Sequence, residues 1–498
     1  MRHLRFAMYP ALLLALVAVS CSDDSGSNST CGNQVCDSGE TATNCPQDCS
    51  CGNGIKNGDE ECDGVDLGEA TCGSQGYVSG LLGCTEQCRL DETQCVPAAD
   101  CGNGQIDQGE QCDGTDLNGA TCKSRGYDDG SLGCTAGCQY DESGCASCGT
   151  RAISAGYWYT CAVKDDGTAW CWGWNGYGPL GDGTTTERHT PVQVSGLTSA
   201  GAISAGCWYD TCAVKEDGTA WCWGFNSYGE LGDGTATERH TPVQVSGLTG
   251  VGAISAGSHH TCAVKEDGTA WCWGWNGHGQ LGDGTATERH IPVQVSGLTG
   301  AWAISAGMYH TCAVKEDGTA WCWGDNYDGE LGDGTTTDRH TPVQVSGLTG
   351  VGAISAGSNR TCAVKDDGTA WCWGDNYYGE LGDGTTTDIS IPVQVSGLAG
   401  VGAISAGYWH TCAVKEDGTA WCWGFNDHGE LGDGTTTERH TPVQVSGLTG
   451  ARAISAGMYH TCAVKEDGTA WCWGYNYGGE LGDGTTTDRH TPIQVTWP

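Results

Sequence analysis

The chain carries little positive charge, and this scarcity narrows the range of possible ligands. It has 22 Lys and Arg residues against 61 Asp and Glu residues, a formal net charge of −39 over 498 residues. Such a surface repels phosphate backbones and anionic lipid, so nucleic-acid binding is disfavoured. Beyond the N-terminus the sequence also lacks an apolar run of 18 residues, and nothing else in it predicts a membrane span.

Two further patterns are absent, and their absence restricts the roles of cysteine and glycine. The 33 cysteines include no pair of Cys-x2-Cys knuckles, so disulfides in an oxidising compartment are favoured over zinc binding. The 83 glycines follow no Gly-X-Y rhythm, which indicates many turns and excludes collagen. We therefore expect neither a metal nor another cofactor.

The N-terminus has the features of a bacterial export signal. Residues 1–20 combine an arginine-containing start with a short apolar stretch. The boundary Ala18-Val19-Ser20-Cys21 resembles a lipoprotein box, in which Cys21 is lipidated, although Ala18 stands where Leu is usual. The alternative is cleavage by ordinary signal peptidase. Residues 21–30 form a polar tether. We expect an outer-membrane or cell-surface lipoprotein, or alternatively a secreted protein.

Three cysteine-rich modules follow, at residues 31–49, 51–95 and 101–145. They contain too little Val, Ile, Leu and Phe to build a core, so disulfides must hold them, with a connectivity that spacing does not determine. The segments CGNGIKNGDEECDG and CGNGQIDQGEQCDG resemble cysteine-rich repeats of myxobacterial surface lipoproteins, which implies a stalk or adhesive module. Acids here are either solvated loop residues or calcium ligands, the candidates being Asp59, Glu60, Glu61, Asp63 and Asp66.

The rest of the chain, residues 151–498, repeats one unit seven times. Ala-Ile-Ser-Ala-Gly recurs with a period of 50 residues and one extra residue in the second copy, which is typical of propellers and solenoids. Each copy contains four short strand candidates separated by turn signals. In the first copy these are Ala152–Ala155, Thr160–Lys164, Ala169–Gly173 and Pro191–Val194.

The middle two strands of each copy are joined by a three-residue loop that ends in glycine, such as Asp165-Asp166-Gly167. This loop places Cys161 opposite Cys171, within modest adjustment of disulfide range. Free thiols are the alternative. We predict one cross-strand disulfide per copy: Cys161–Cys171, Cys212–Cys222, Cys262–Cys272, Cys312–Cys322, Cys362–Cys372, Cys412–Cys422 and Cys462–Cys472.

A tryptophan pair, Trp170 and Trp172 in the first copy, is expected to wedge between neighbouring blades. The motifs AVKEDGTAWCWG, LGDGT and PVQV resemble the repeats of the regulator-of-chromosome-condensation family from Arg151 to Pro498. The resemblance implies an all-β, seven-bladed β-propeller with four-stranded blades. Members of that family include a nuclear exchange factor for a small GTPase and secreted bacterial inhibitors of β-lactamases.

The copies differ mainly in two loops, one after Ala-Gly and one after Trp-Gly, which alternating strands place at the same end of the ring. Loops on a rigid scaffold carry function, and exposed aromatic residues make binding hot spots. Neutral drift of the loops is the alternative. The candidate ligand-binding residues are Trp158, Tyr159, Trp174, Tyr177, Trp208, Tyr209, Phe225, Tyr228, Trp275, His278, Tyr309, Tyr377, Tyr378, Trp409, Phe425, Tyr459, Tyr475 and Tyr477.

Three weaker signals complete the pattern. A histidine before the proline strand recurs in six copies, with Ser390 breaking the series, and we interpret it as a turn residue. The segment Leu180–Thr184 and its equivalents predict an Asx-type turn and not a phosphate cradle. Two cysteines are left over, and we predict a Cys148–Cys207 disulfide that fastens the stalk to the second blade.

The sequence as a whole favours a surface-anchored, non-catalytic scaffold that presents an aromatic face to a protein or glycan. A sialidase-type hydrolase is the first alternative, but the repeats do not meet the Asp-box pattern and no catalytic constellation stands apart from them. The second is a guanine-nucleotide-exchange role like that of the cytosolic relatives, which export and the cysteines disfavour.

Overall fold

The computed structural model describes residues 61–63, 67, 70–75, 77–85, 89–97, 106, 110–122, 129–146 and 149–498. The chain divides into two compact units, one within residues 1–121 and 131–144 and one comprising 122–130 and 145–498. The predicted signal peptide, Cys21, the tether and the four-cysteine module lie outside the described residues. In the part that is described, no helix is long and apolar enough to cross a membrane.

The described parts of the cysteine-rich segment consist of very short elements tied by disulfides. The second cysteine of each six-cysteine module bonds the fourth, and the third bonds the sixth in the first module, giving Cys62–Cys84, Cys112–Cys134 and Cys72–Cys95. Antiparallel pairs join Tyr77–Gly80 to Cys95–Pro97, Gly83–Cys84 to Leu90–Asp91, Asp129–Gly130 to Cys145–Ala146, and Gly133–Cys134 to Tyr140–Asp141. Two single-turn 3-10 helices span Gly73–Gln75 and Glu142–Gly144.

The acids considered as calcium ligands in the sequence are only partly described. Glu61 forms an ion pair with Arg89, and Asp63 is buried. Asp59, Glu60 and Asp66 lie outside the described residues.

Residues from Thr150 onward form seven four-stranded antiparallel sheets, and each sheet is built from four consecutive strands. The first strands are Thr150–Ala155, Ala200–Ala205, Val251–Ala256, Ala301–Ala306, Val351–Ala356, Val401–Ala406 and Ala451–Ala456. The second strands are Tyr159–Lys164, Asp210–Lys215, His260–Lys265, His310–Lys315, Arg360–Lys365, His410–Lys415 and His460–Lys465. The third strands are Ala169–Gly173, Ala220–Gly224, Ala270–Gly274, Ala320–Gly324, Ala370–Gly374, Ala420–Gly424 and Ala470–Gly474. The fourth strands are Arg188–Gln193, Arg239–Gln244, Arg289–Gln294, Arg339–Gln344, Ile389–Gln394, Arg439–Gln444 and Arg489–Gln494.

The hairpin between the second and third strands has the register that the loop length predicts. Gly167 closes the loop with a φ of +76°, which favours glycine, and Cys161 lies directly opposite Cys171. The two Cα atoms are 4.1 Å apart and the sulfurs are bonded. Every blade repeats this bond, at Cys212–Cys222, Cys262–Cys272, Cys312–Cys322, Cys362–Cys372, Cys412–Cys422 and Cys462–Cys472.

Blades stack through the second tryptophan of each pair. Trp223 of blade 2 is fully buried in a cluster with Cys161, Cys171 and Leu180 of blade 1. Its indole Nε1 donates a hydrogen bond of 2.8 Å to the carbonyl oxygen of Pro179. Because all seven blades repeat this arrangement, each sheet buries on its neighbour the apolar face that it cannot cover alone.

The ring is closed between the last blade and the first. Trp172 donates from Nε1 to the carbonyl oxygen of Glu480 at 2.8 Å, and the amide of Gly484 donates to the carbonyl oxygen of His189 at 2.9 Å. Thr160 Oγ1 and His460 Nε2 lie 2.8 Å apart. Residues 150–498 thus form a closed seven-bladed disc.

The histidine that is the second residue of the fourth strand in six blades contacts the preceding blade through its backbone. The amide of Gly183 in blade 1 donates to the carbonyl oxygen of His240 in blade 2, and the equivalent bond exists at every interface, including the one where Ser390 replaces histidine. A backbone contact explains why the side chain can change. The Asx turn is also present, because Asp182 Oδ1 accepts the amide of Thr184 at 2.9 Å.

The fourth strand starts earlier than the predicted Pro191. Gly173 pairs with Arg188, three residues before the proline. The Arg188 guanidinium donates from Nε and Nη2 to Asp182 Oδ2 at 3.0 and 2.6 Å, which anchors this end of the strand. Blade 5 starts its fourth strand at the same position with Ile389 in place of the arginine, so backbone pairing with the third strand extends the sheet beyond the apolar pattern.

Candidate functional site

The two variable loops of each blade lie together on one face of the disc. In blade 1 the amide of Trp174, in the loop after the third strand, donates 2.8 Å to the carbonyl oxygen of Trp158, in the loop after the first strand. The same bond joins the two loops in all seven blades. We call this side the top face, and the side of the constant Asp-Gly hairpins the bottom face.

A continuous cluster of rings covers the top face over blades 1–3. Tyr157 lies 5.0 Å from Trp158, 5.4 Å from Tyr209 and, across the disc, 6.1 Å from Tyr408 between ring centroids. Further contacts extend the cluster outward. Its other members are Trp174, Tyr177, Trp208, Phe225, Tyr228, His259, Trp275, His278 and Tyr309.

A second group of rings covers blades 5–7, made of Tyr377, Tyr378, Trp409, Phe425, His428, Tyr459, Tyr475 and Tyr477. Its outer tyrosines are largely in solvent, with Tyr377 71% and Tyr477 77% exposed. Tyr327 in blade 4 is 80% exposed. The sequence comparison overlooked Tyr327, although its place after the invariant Asn matches that of Tyr377.

One of the predicted ligand-binding residues is wrong, because the third position of the first loop belongs to the core. Tyr159 has no exposed surface, and its hydroxyl donates 2.6 Å to the carbonyl oxygen of Asp210. Tyr209 is 8% exposed and lies beneath Trp174, with ring centroids 4.2 Å apart. Tyr159 starts the second strand of blade 1, as Asp210 does in blade 2, and alternation there directs the side chain into the next blade.

The position of Tyr159 forms a buried polar layer beneath the top face. Four blades place histidine there, and each histidine Nε2 lies 2.7–2.9 Å from a threonine hydroxyl of the next blade. Burial lowers the pKa of each imidazole to about 3, so the rings are neutral. In blade 5, Arg360 instead donates to the carbonyl oxygens of Gly407, Tyr408 and His410. These contacts give the variable loops a rigid base.

Blades 4 and 5 carry an acid, Asp325 and Asp375, at the position after Trp-Gly where the other blades have a ring. Burial raises the pKa of the Asp325 carboxyl, and burial together with nearby Asp375 raises that of Asp328. A cavity of about 380 Å³ opens here. It is lined by His278, Met308, Tyr309, Asp325, Tyr327, Asp328, Ser358, Asn359, Tyr408 and Trp409, none of which is Lys or Arg. The top face thus combines an aromatic surface with an acidic cavity.

The predicted Cys148–Cys207 disulfide is contradicted, because Cys207 is a free thiol. Cys207 lies on the top face, where its amide donates to the carbonyl oxygen of Gly257. Gly149, the residue after Cys148, lies at the bottom face against the Gly468 hairpin. A six-residue strand separates the faces by about 20 Å, far beyond disulfide reach. Cys148 itself is outside the described residues.

Comparison with known proteins identifies relatives of the propeller. The family model described as an RCC1-like domain matches residues 153–357 and 303–498. Ultraviolet-B receptor UVR8 of Arabidopsis thaliana is 34% identical over 108 residues, which are 22% of this chain and 24% of that protein. E3 ubiquitin-protein ligase HERC2 of Homo sapiens is 35% identical over 112 residues, 22% of this chain and 2% of that protein. The matches span a quarter or less of these relatives.

Two solved structures show the same fold. Human WBSCR16 superposes with a TM-score of 0.60 at 21% identity, covering 67% of this chain and 94% of that chain. Yeast RCC1 (Prp20), solved bound to Kap60, gives a TM-score of 0.59 at 22% identity, covering 66% of this chain and 83% of that chain. At these identities the likeness concerns the fold alone.

Proposed function

Because the chain belongs to the RCC1-like domain family, we propose that it is an exported, non-catalytic binding protein whose top face holds a protein ligand. Protein binding has a precedent in the fold, since the structure of yeast Prp20p is described together with its binding to Gsp1p and histones.

The concentration of large aromatic side chains on one rigid face is the observation that carries this proposal. Tyrosine and tryptophan supply contact area at a low entropic cost, and they dominate binding hot spots. Tyr327, Tyr377 and Tyr477 are 71–80% exposed, whereas large apolar side chains are otherwise mostly buried in the propeller. Neutral drift gives no reason to maintain such rings in solvent. A glycan that stacks on the same rings is the alternative ligand.

Export is part of the proposal. Residues 1–20 have the pattern of a signal peptide, and Cys21 is in position for lipidation. The disulfide in every blade fits an oxidising compartment. A nucleotide-exchange role requires the protein in the cytosol, so cell fractionation distinguishes the two. Recovery of the full chain in the cytosol with reduced cysteines would contradict export.

Binding is tested with the full chain immobilised and exposed to cell-surface and secreted proteins of the source organism. The test variant replaces Tyr327, Tyr377 and Tyr477 by serine, which removes exposed rings without opening the core. The control is Trp302→Ser, since Trp302 is 48% exposed but lies near the bottom face, next to Ala301, whose amide bonds to the hairpin carbonyl of Gly268.

We expect wild type and the Trp302→Ser control to capture the same partner, and the triple variant to bind it at least about 10-fold more weakly. Equal capture by all three proteins would show that the top face is not the binding surface. A glycan array probed with the same three proteins identifies a sugar ligand if no protein is captured.

A further inference from the structure

Three potential metal ligands converge where blades 3 and 4 meet on the top face. His278 Nδ1 lies 2.9 Å from Asp338 Oδ2 and 3.5 Å from Asp325 Oδ1. The ligand atoms of all three residues lie within 4.8 Å of one another. Two atoms bound tetrahedrally to zinc, each about 2.1 Å from the ion, are roughly 3.4 Å apart. The observed spacing therefore requires only a small opening to admit an ion.

The surroundings hold these side chains in place. The amide of Asn326 donates to both carboxylates, at 3.0 Å to Asp325 Oδ1 and 3.1 Å to Asp338 Oδ1. The His278 ring packs between Trp275 and Tyr309, with centroids 5.4 and 5.7 Å away. In metal sites, hydrogen bonds and packing around the ligand side chains orient them toward the ion in this way.

The interface of blades 6 and 7 contains the same arrangement without the third ligand. His428 Nδ1 lies 3.2 Å from Asp488 Oδ2, and Asp488 Oδ1 accepts the amide of Asn476 at 2.9 Å. Tyr475 occupies the position of Asp325 and packs 4.9 Å from the His428 ring. The protein therefore contains both a complete set of three ligands and an incomplete one.

The seven copies also show that these positions change together across the blade interface. One position is the second residue after the invariant Asn of a blade, and the other is the acid just before the fourth strand of the next blade. Where the first is His or Asp, the acid is Asp, and where the first is Tyr or Gly, the acid is Glu. The pairs are His278–Asp338, Asp328–Asp388 and His428–Asp488 in the first group, and Tyr177–Glu238, Tyr228–Glu288, Tyr378–Glu438 and Gly478–Glu187 in the second. In all three blades with Asp, its Oδ1 accepts the amide of the invariant Asn, and in two of them its Oδ2 faces the histidine of the preceding blade.

We propose that His278, Asp325 and Asp338 bind one divalent transition-metal ion of the zinc class. An imidazole with two carboxylates suits zinc and its neighbours, whereas calcium and magnesium prefer sites made of oxygen alone. His278 and Asp325 also line the acidic cavity, so the ion is accessible from the top face. This assignment revises the expectation, drawn from cysteine spacing, that the protein holds no metal.

The test measures Zn²⁺ binding to the full chain by isothermal titration calorimetry at neutral pH. Asp325→Tyr converts the complete set into the arrangement of blades 6 and 7, and Tyr475→Asp converts the incomplete set into a complete one. Thermal unfolding without metal checks that both variants fold. Because zinc that binds only the folded state raises the melting temperature, the same assay gives a second readout.

We expect Asp325→Tyr to lose one equivalent of zinc, or to bind it at least 10-fold more weakly, and to lose the zinc-dependent rise in melting temperature. Tyr475→Asp should gain one equivalent. Ca²⁺ should not replace zinc at either place. Identical zinc stoichiometry and affinity in wild type, Asp325→Tyr and Tyr475→Asp would overturn the assignment.

Discussion

Buried glutamates should make the propeller less stable as the pH rises. Five blades place a glutamate directly before the invariant leucine of the second top loop, and these side chains are at most 1% exposed. Burial raises the pKa of Glu330, Glu430 and Glu480 to about 8, and that of Glu380 to about 7. Most of these carboxyls therefore carry a proton near neutral pH.

The sign and size of the effect follow from proton linkage. A carboxyl with a raised pKa in the folded state stabilises the fold fully below its unfolded pKa, and this stability is lost as the pH rises through the folded pKa. For Glu430 and Glu480 the window runs from 4.5, the ordinary value, to about 8. At about 1.36 kcal/mol per unit of pKa, the shift has a ceiling of roughly 5 kcal/mol for each carboxyl, of which about 3 falls between pH 5 and pH 8.

Blade 3 supplies the matched substitution. Gln280 stands at the glutamate position, and its Oε1 accepts the amide of His278 at 3.1 Å, as Glu430 Oε2 accepts the amide of His428 at 3.0 Å. Glutamine therefore makes the same hydrogen bond without a titrating proton. Glu430→Gln combined with Glu480→Gln should leave stability near pH 5 almost unchanged and raise it near pH 8.

Urea unfolding followed by tryptophan fluorescence at both pH values measures this difference. We expect the double variant to lose clearly less free energy of unfolding than wild type between pH 5 and pH 8, by roughly 2–6 kcal/mol. Gln280→Glu should do the opposite. If wild type and the double variant lose the same free energy over this range, the buried carboxyls do not titrate as argued, and general repulsion among the many acids is the cause.

Three further outcomes test the frame of the disc. Replacing Cys161 and Cys171 together by serine should lower the free energy of unfolding by roughly 2.5–3 kcal/mol, since the bond closes a loop of about ten residues. Thermal unfolding under oxidising conditions measures this loss, and an unchanged melting temperature would contradict the expected stabilisation. Trp223→Phe should cost roughly 1 kcal/mol in urea unfolding, because the buried Pro179 carbonyl keeps its bond from the Thr211 hydroxyl but loses the one from the indole. Burial raises the pKa of Cys207 to about 12, so iodoacetamide near pH 8 should alkylate this half-buried thiol much more slowly in the folded than in the unfolded protein, and equal rates would contradict this environment.

Much of the fold was predictable because the repeat determines it locally. The loop Asp165-Asp166-Gly167 fixes the register of its hairpin, and that register alone gives the Cys161–Cys171 bond. The start of the fourth strand was not predictable from apolar pattern, since backbone pairing with the third strand begins at the polar Arg188, and in blade 5 at Ile389. Local patterns thus gave the elements, while backbone pairing between strands set their ends.

The candidate site was predicted in outline, and the errors share one cause. The single-chain pattern placed both variable loops on one face, but it did not show which loop positions point into the next blade. Tyr159 was therefore predicted to bind ligand although its side chain is buried. The predicted disulfide of Cys207 failed because Cys207 lies on the face opposite Gly149. The grouping of His278 with Asp338 also crosses a blade interface, 60 residues apart in sequence. Contacts between blades depend on how the blades pack in the closed ring, and the pattern within one repeat does not predict them.

The distribution of constant and variable residues follows from hydrogen bonds that only certain side chains can make. Asn175 Nδ2 donates to the carbonyl oxygens of Thr184 and Thr186, and its Oδ1 accepts the amide of Leu180, so no other residue can replace it. Blade 5 shows how far the frame tolerates change. There Ile389 replaces the arginine and Ser390 the histidine, yet the backbone bond to the preceding blade remains. Because such bonds hold the outer frame and a backbone bond joins the two top loops in every blade, side chains on the top face can diverge, and a binding surface can change there while the frame of the disc is kept.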